Sequence, residues 1–211
     1  MKQQATGTAG ATRLRPEVVD RVEQVLFAAL FAFLAWRVST SLNPFAPLLI
    51  VSESMIMFFL VIRRPTEKVS IELGDWLVAV TGTCAPLLIV PIDTRIDALV
   101  PVGVVLFGLG LVIQVMAKVS LNRSIGVGPA NRGIKQDGVY RFVRHPMYAG
   151  YIMNNIGILM LMFSLTNTVI YLIAWTAQIM RILAEERLLS QDPAYRDFMQ
   201  HTRWRLVPGI W

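Results

Sequence analysis

Charge is scarce in this chain. Asp, Glu, Lys and Arg make up 16% of the 211 residues while hydrophobic residues make up 55%; an ordinary soluble domain carries about 25% charged residues. That deficit argues against a soluble fold. Cysteine is scarcer still. Cys84 stands alone inside an apolar run, so it forms no internal disulfide and is a poor metal ligand by itself. It reads as a small buried hydrophobe, and no metal site is expected. An apolar segment is also missing after Lys2, Arg13 and Arg15, where a cleavable signal peptide needs one. Residues 1–19 read instead as a flexible cytoplasmic tail. No strand precedes Gly103, Gly108 and Gly110, which lie in an apolar run. A dinucleotide fingerprint is therefore unsupported, and these glycines read as positions of close helix packing. No soluble basic fold accompanies the net charge of +6, so no nucleic-acid partner is expected. Internal symmetry between halves, expected of many transporters, is not evident either.

What the chain has is apolar length. A bilayer-spanning helix needs about 20 mostly apolar residues. Runs of that kind occupy 20–42, 45–62, 75–92, 98–117, 147–163 and 169–183. Asn43-Pro44 closes the first and Arg63-Arg64-Pro65 the second, and Pro86 and Pro91 should kink the third or end it early. The last two are short and joined by a turn at 164–168, as in a tight helical hairpin. The expected fold is an all-α integral membrane protein with about five to six membrane helices, the last two a helical hairpin, in a single domain, 1–211.

With both termini in the cytoplasm, every one of the 20 basic residues except Arg37 and Arg95 falls on the inner side or at an inner helix end. The positive-inside rule is satisfied, and anionic membrane lipids become natural partners. Glu53 lies near the middle of the second run, where a carboxylate is costly. It reads as a residue that holds helices together, paired through Arg37 or a serine.

One stretch concentrates chemistry: Gly138, Tyr140, Arg144, His145, Pro146, Met147, Tyr148 and Gly150. The residue before a proline is pushed out of the α region, and Pro146 suits a first helical turn. A helix mouth attracts carboxylates and phosphates, and Arg144 and His145 stand at it. Tyr148, Tyr151 and Asn155 follow at i, i+3 and i+7 on one face. On the last apolar run, Gln178, Arg181 and Glu185 form a polar stripe that Glu186 and Arg187 continue. A short connection makes the two helices antiparallel neighbours, so the tip with Tyr148 should meet the tip with Glu185. An anion-binding mouth beside a carboxylate suits a zwitterionic, aromatic-bearing ligand.

These residues resemble the isoprenylcysteine carboxyl methyltransferases and their bacterial relatives. The Arg-His-Pro-x-Tyr and Glu-Glu pattern is also shared with membrane phospholipid methyltransferases, and the likeness covers roughly residues 106–211. The tail, with Tyr195, Arg203, Trp204, Arg205 and Pro208, is similar to bacterial members. The resemblance implies a bacterial inner-membrane enzyme with S-adenosyl-L-methionine as methyl donor, the last two helices forming a hairpin over a cytoplasmic cofactor pocket and residues 118–211 the cofactor-binding, catalytic region. Carried over by position, the donor contacts are Arg132, Gly133, Ile134 and Lys135, then Tyr140, then His145, Pro146, Met147 and Tyr148, then Glu185. Arg144 joins them at the helix mouth. Arg181 matches a substrate-side arginine, with Gln178 and Asn155 beside it. Arg-Gly-Ile-Lys departs from the eukaryotic enzymes, which place a histidine and small or apolar residues there.

An acceptor carboxylate is ionised at neutral pH and needs no base; it needs alignment, which Arg181 would supply by paired hydrogen bonds. An ethanolamine acceptor must lose a proton, and Glu186 is then the base. The expected activity is methylation of a lipophilic acceptor, most simply a carboxylate. The alternatives are a phospholipid amine, a sterol-reductase-like use of a similar pocket with a nicotinamide cofactor, or a non-catalytic transporter or scaffold. No oligomeric state is read from the sequence.

Overall fold

A computed structural model describes residues 16–62, 73–121 and 136–211. Seven α-helices and no strand occur among them: α1 Pro16–Ser39, α2 Pro47–Ile62, α3 Leu73–Cys84, α4 Val100–Leu121, α5 Pro146–Leu161, α6 Leu165–Leu189 and α7 Pro193–His201. The all-helical expectation holds. Three stretches among the described residues are helical, long and apolar enough to cross a bilayer: Arg21–Ser39, Asp97–Leu121 and Leu165–Leu189. The five to six expected include α2, α3 and α5, which have 16, 12 and 16 residues among those described and fall below that length there. Helix begins at Pro16, and the rest of the expected tail, 1–15, lies outside the described residues.

Proline sets the length of α3. The helix stops at Cys84 and Pro86 enters a 3₁₀ turn, Ala85–Leu88, as expected of a residue without an N–H to donate. The extended backbone that follows is held by two buried asparagines. Asn167 donates from Nδ2 to the Val90 carbonyl at 2.9 Å and accepts from the Val90 N–H at 2.9 Å. Asn43 Nδ2 donates to the carbonyls of Ile92 and Leu161. Backbone groups that would be orphaned in an apolar layer thus find side-chain partners.

The expected hairpin is less intimate than its short connection suggests. α5 lies chiefly along α4, and α6 lies chiefly along α3. Glycine explains the first pairing. A Cβ on Gly110 would come within 2.6 Å of the Asn154 nitrogen, and one on Gly157 within 2.6 Å of the Gly103 carbonyl oxygen. The backbones touch where side chains are absent. Gly108 has open space instead and takes no part in that packing. The last apolar run, expected to be short, belongs to a helix of 25 residues. Ser164 caps it by accepting from the Asn167 N–H, and helix continues through Glu185, Glu186 and Arg187.

Candidate active site

Four elements meet at the N-terminal tip of α5. Gly138, with φ of 63°, opens a 3₁₀ turn, Gly138–Arg141, against Ser120 at the end of α4; few residues but glycine tolerate that backbone. The turn buries Tyr140. Burial, with the Glu185 charge second, pushes the Tyr140 phenol far above its usual range, so it stays a neutral lining group. His145 sits at the cap position and Pro146 in the first turn, as the sequence predicts.

The chain's last residues lock this mouth from outside. The N–H groups of Arg144 and His145 donate to the carbonyls of Trp204 and Arg205, each at 2.9 Å. The segment then hooks back, and the N–H groups of Arg205, Leu206 and Val207 all donate to the Trp211 carbonyl. Arg144 adds donors to the carbonyls of Thr202 and Arg203 at 2.8 and 2.7 Å.

The two carboxylates at the end of α6 divide the work. Glu186 is buried and held by two arginines, with a histidine beside them. Arg144 Nε donates to Oε1 at 2.8 Å, Arg205 Nε donates to Oε2 at 2.8 Å, and His145 Nε2 lies 3.2 Å from Oε1. A carboxylate with both oxygens so engaged is a strut that joins α5, α6 and the tail; it is poorly placed to serve as the base expected of it for an amine acceptor. Glu185 is more open, at 19% side-chain exposure. Its Oε1 accepts from Tyr148 Oη at 2.6 Å and from Arg181 Nε at 3.1 Å, and its Oε2 lies 3.9 Å from His145 Nδ1.

The rings form a stepped wall beside it. His145 and Tyr148 meet edge to face at 5.8 Å, and Tyr148 and Tyr151 at 6.3 Å. The Arg181 guanidinium lies 5.5 Å from the Tyr148 ring centre and reaches Thr83 of α3 at 3.4 Å.

Among the expected site residues, Arg144, His145, Pro146, Met147, Tyr148, Arg181, Glu185 and Glu186 share one region, with Tyr140 packed in the same core cluster as Met147 and Tyr148. Arg132, Gly133, Ile134 and Lys135 lie outside the described residues. Asn155 is drawn elsewhere: with its side-chain amide turned to suit its neighbours, it donates to the Tyr151 carbonyl at 3.2 Å and accepts from Trp175 Nε1 at 3.3 Å, nearly three helical turns from the cap. Gln178 is buried, with its Oε1 lacking a partner among the described residues. Arg205, which the sequence marks only as part of the tail, joins the site by donating to Glu186. Lys118, counted as a cytoplasmic charge, is 1% exposed.

A family model described as Isoprenylcysteine carboxyl methyltransferase (ICMT) family matches residues 101–191. Neither the curated proteins nor the solved structures yield a match.

Proposed function

From the chain's membership of the isoprenylcysteine carboxyl methyltransferase family, a family of membrane methyltransferases, we propose that it transfers a methyl group from S-adenosyl-L-methionine to the carboxylate of a lipophilic acceptor. The observation that carries this reading is the meeting of the α5 and α6 tips through Tyr148 and Glu185 at 2.6 Å. The donor supplies an electrophilic methyl on a cationic sulfur.

Glu185, the more open of the two carboxylates, holds an ammonium or a ribose hydroxyl. His145 and Arg144, at a helix mouth whose dipole favours anions, hold a carboxylate. Tyr140 and Tyr148 offer aromatic faces to rings and to the sulfonium charge. Arg181, tied to Glu185 and resting over Tyr148, orients the acceptor carboxylate. Alignment alone then does much of the work. Glu186 holds the mouth in shape. The engaged state of both its oxygens favours a carboxylate acceptor over an amine, which would have to give up a proton. We place the enzyme in a bacterial inner membrane with this mouth facing the cytoplasm.

The test uses purified protein in lipid nanodiscs with tritiated S-adenosyl-L-methionine and two acceptors of equal chain length, one ending in a carboxylate and one in an ethanolamine. Base-labile label on the carboxylate lipid is the expected result. Label on the amine alone overturns the choice of acceptor, and label on neither overturns the activity.

A further inference from the structure

A second polar layer lies one step beyond this wall, between α2, α4 and α5. Glu53, Gln114, Lys118 and Asn154 are 5%, 0%, 1% and 1% exposed in otherwise apolar helices. Ser52 Oγ bonds Asn154 Oδ1 at 3.3 Å, and Lys118 Nζ donates to Gln114 Oε1 at 3.3 Å. The Lys118 charge acts on Glu53 across the same space. Its ammonium also lies 5.0 Å from the centre of the Tyr151 ring, which meets Tyr148 edge to face. The layer is therefore continuous with the proposed reaction site.

Three side-chain atoms in it have no hydrogen-bond partner among the described residues: Glu53 Oε2, Gln114 Nε2 and Asn154 Nδ2. Buried polar atoms are nearly always paired, so three together in one layer point to a ligand. Two are amide donors and one is a carboxylate acceptor. Lys118 and Glu53 offset each other's charge, so a further net charge here would be uncompensated at membrane depth. A hydrocarbon would leave all three atoms unpaired.

We propose that this layer takes a neutral group that both accepts and donates, an amide or hydroxyl, carried on a lipophilic molecule. As a statement about the methyl acceptor, this rests on the methyltransferase reading. The acceptor would carry such a group a short distance from its carboxylate, and Tyr151 would separate the two subsites. Water offers the same chemistry, and the experiment distinguishes the two.

Labelled oleamide and a chain-matched hydrocarbon without a polar end are titrated into the protein in nanodiscs without methyl donor. This is done for wild type, Gln114→Met and Asn154→Leu, with melting curves to establish folding. Wild type should prefer oleamide by about tenfold, the difference one net hydrogen bond makes, and each variant should lose that preference. No preference in wild type, as for a layer holding water alone, overturns the proposal; so does a preference unchanged in both folded variants. S-adenosyl-L-methionine is titrated separately into the same samples. Failure of that titration with the oleamide preference intact sinks the methyltransferase reading and leaves the layer standing.

Discussion

Tyr148, in the first turn of α5, donates its hydroxyl to Glu185, in the last turn of α6, at 2.6 Å. Although α5 and α6 pack mainly against other helices, this bond brings their tips together. Tyr148→Phe keeps the ring and deletes the donor. Affinity for S-adenosyl-L-methionine, measured by calorimetry, should fall about tenfold, as expected when one hydrogen bond to a charged group is lost.

Glu186→Gln should act on the fold before it acts on chemistry. The neutral amide leaves Arg144 and Arg205 facing each other in a buried place, where breaking one partner of an ion pair costs about 3 kcal/mol. The expected outcome is a lower melting temperature and faster amide hydrogen exchange at 202–211, whose backbone closes the α5 mouth. Unchanged exchange there would remove Glu186 from its role as strut.

Glycine gives a matched pair of tests. A Cβ at Gly150 would come within 2.8 Å of the Gly110 carbonyl oxygen, whereas one at Gly108 meets nothing within 4 Å. Gly150→Ala should destabilise by about 1–3 kcal/mol through overpacking. Gly108→Ala should be neutral or slightly stabilising, since alanine is the better helix former. Thermal melting in one detergent compares them.

Arg181 is the residue assigned to the acceptor. Arg181→Lys keeps a positive charge but loses the planar fork. Turnover of the carboxylate lipid should fall by about two orders of magnitude, the scale of a misplaced reactant, with a much smaller change in donor affinity. An equal loss in both would make Arg181 a donor-site residue.

The tips were legible in the sequence because their chemistry is local. Arg144-His145-Pro146 announces a helix mouth by the rules of proline, and Arg181 and Glu185 share a helical face by spacing alone. The lock formed by the tail was not legible. Its ties are backbone N–H groups at 144–145 and carbonyls at 204–205, which any sequence could provide. Lys118 misled for a related reason: it stands where the apolar run gives way to a polar segment, yet Gln114 one turn earlier and the Tyr151 ring draw it inward. Glu53 is expected to pair through Arg37 or a serine; Arg37 donates instead to the Leu88 carbonyl at 3.0 Å, while the Ser52 side chain bonds Glu53 and the cation acting on it is Lys118. The early stop of α3 before Pro86 was legible by the same rules of proline, whereas Glu185, Glu186 and Arg187, polar but strong helix formers, carry α6 past the end of its apolar run.

The most direct measurement is calorimetric titration of S-adenosyl-L-methionine into the wild-type protein and Glu185→Ala, both in nanodiscs. Saturable one-site binding to wild type, weakened at least about tenfold in the variant, is what the paired helix tips require. No heat with either protein, or equal affinity for both, would contradict the account.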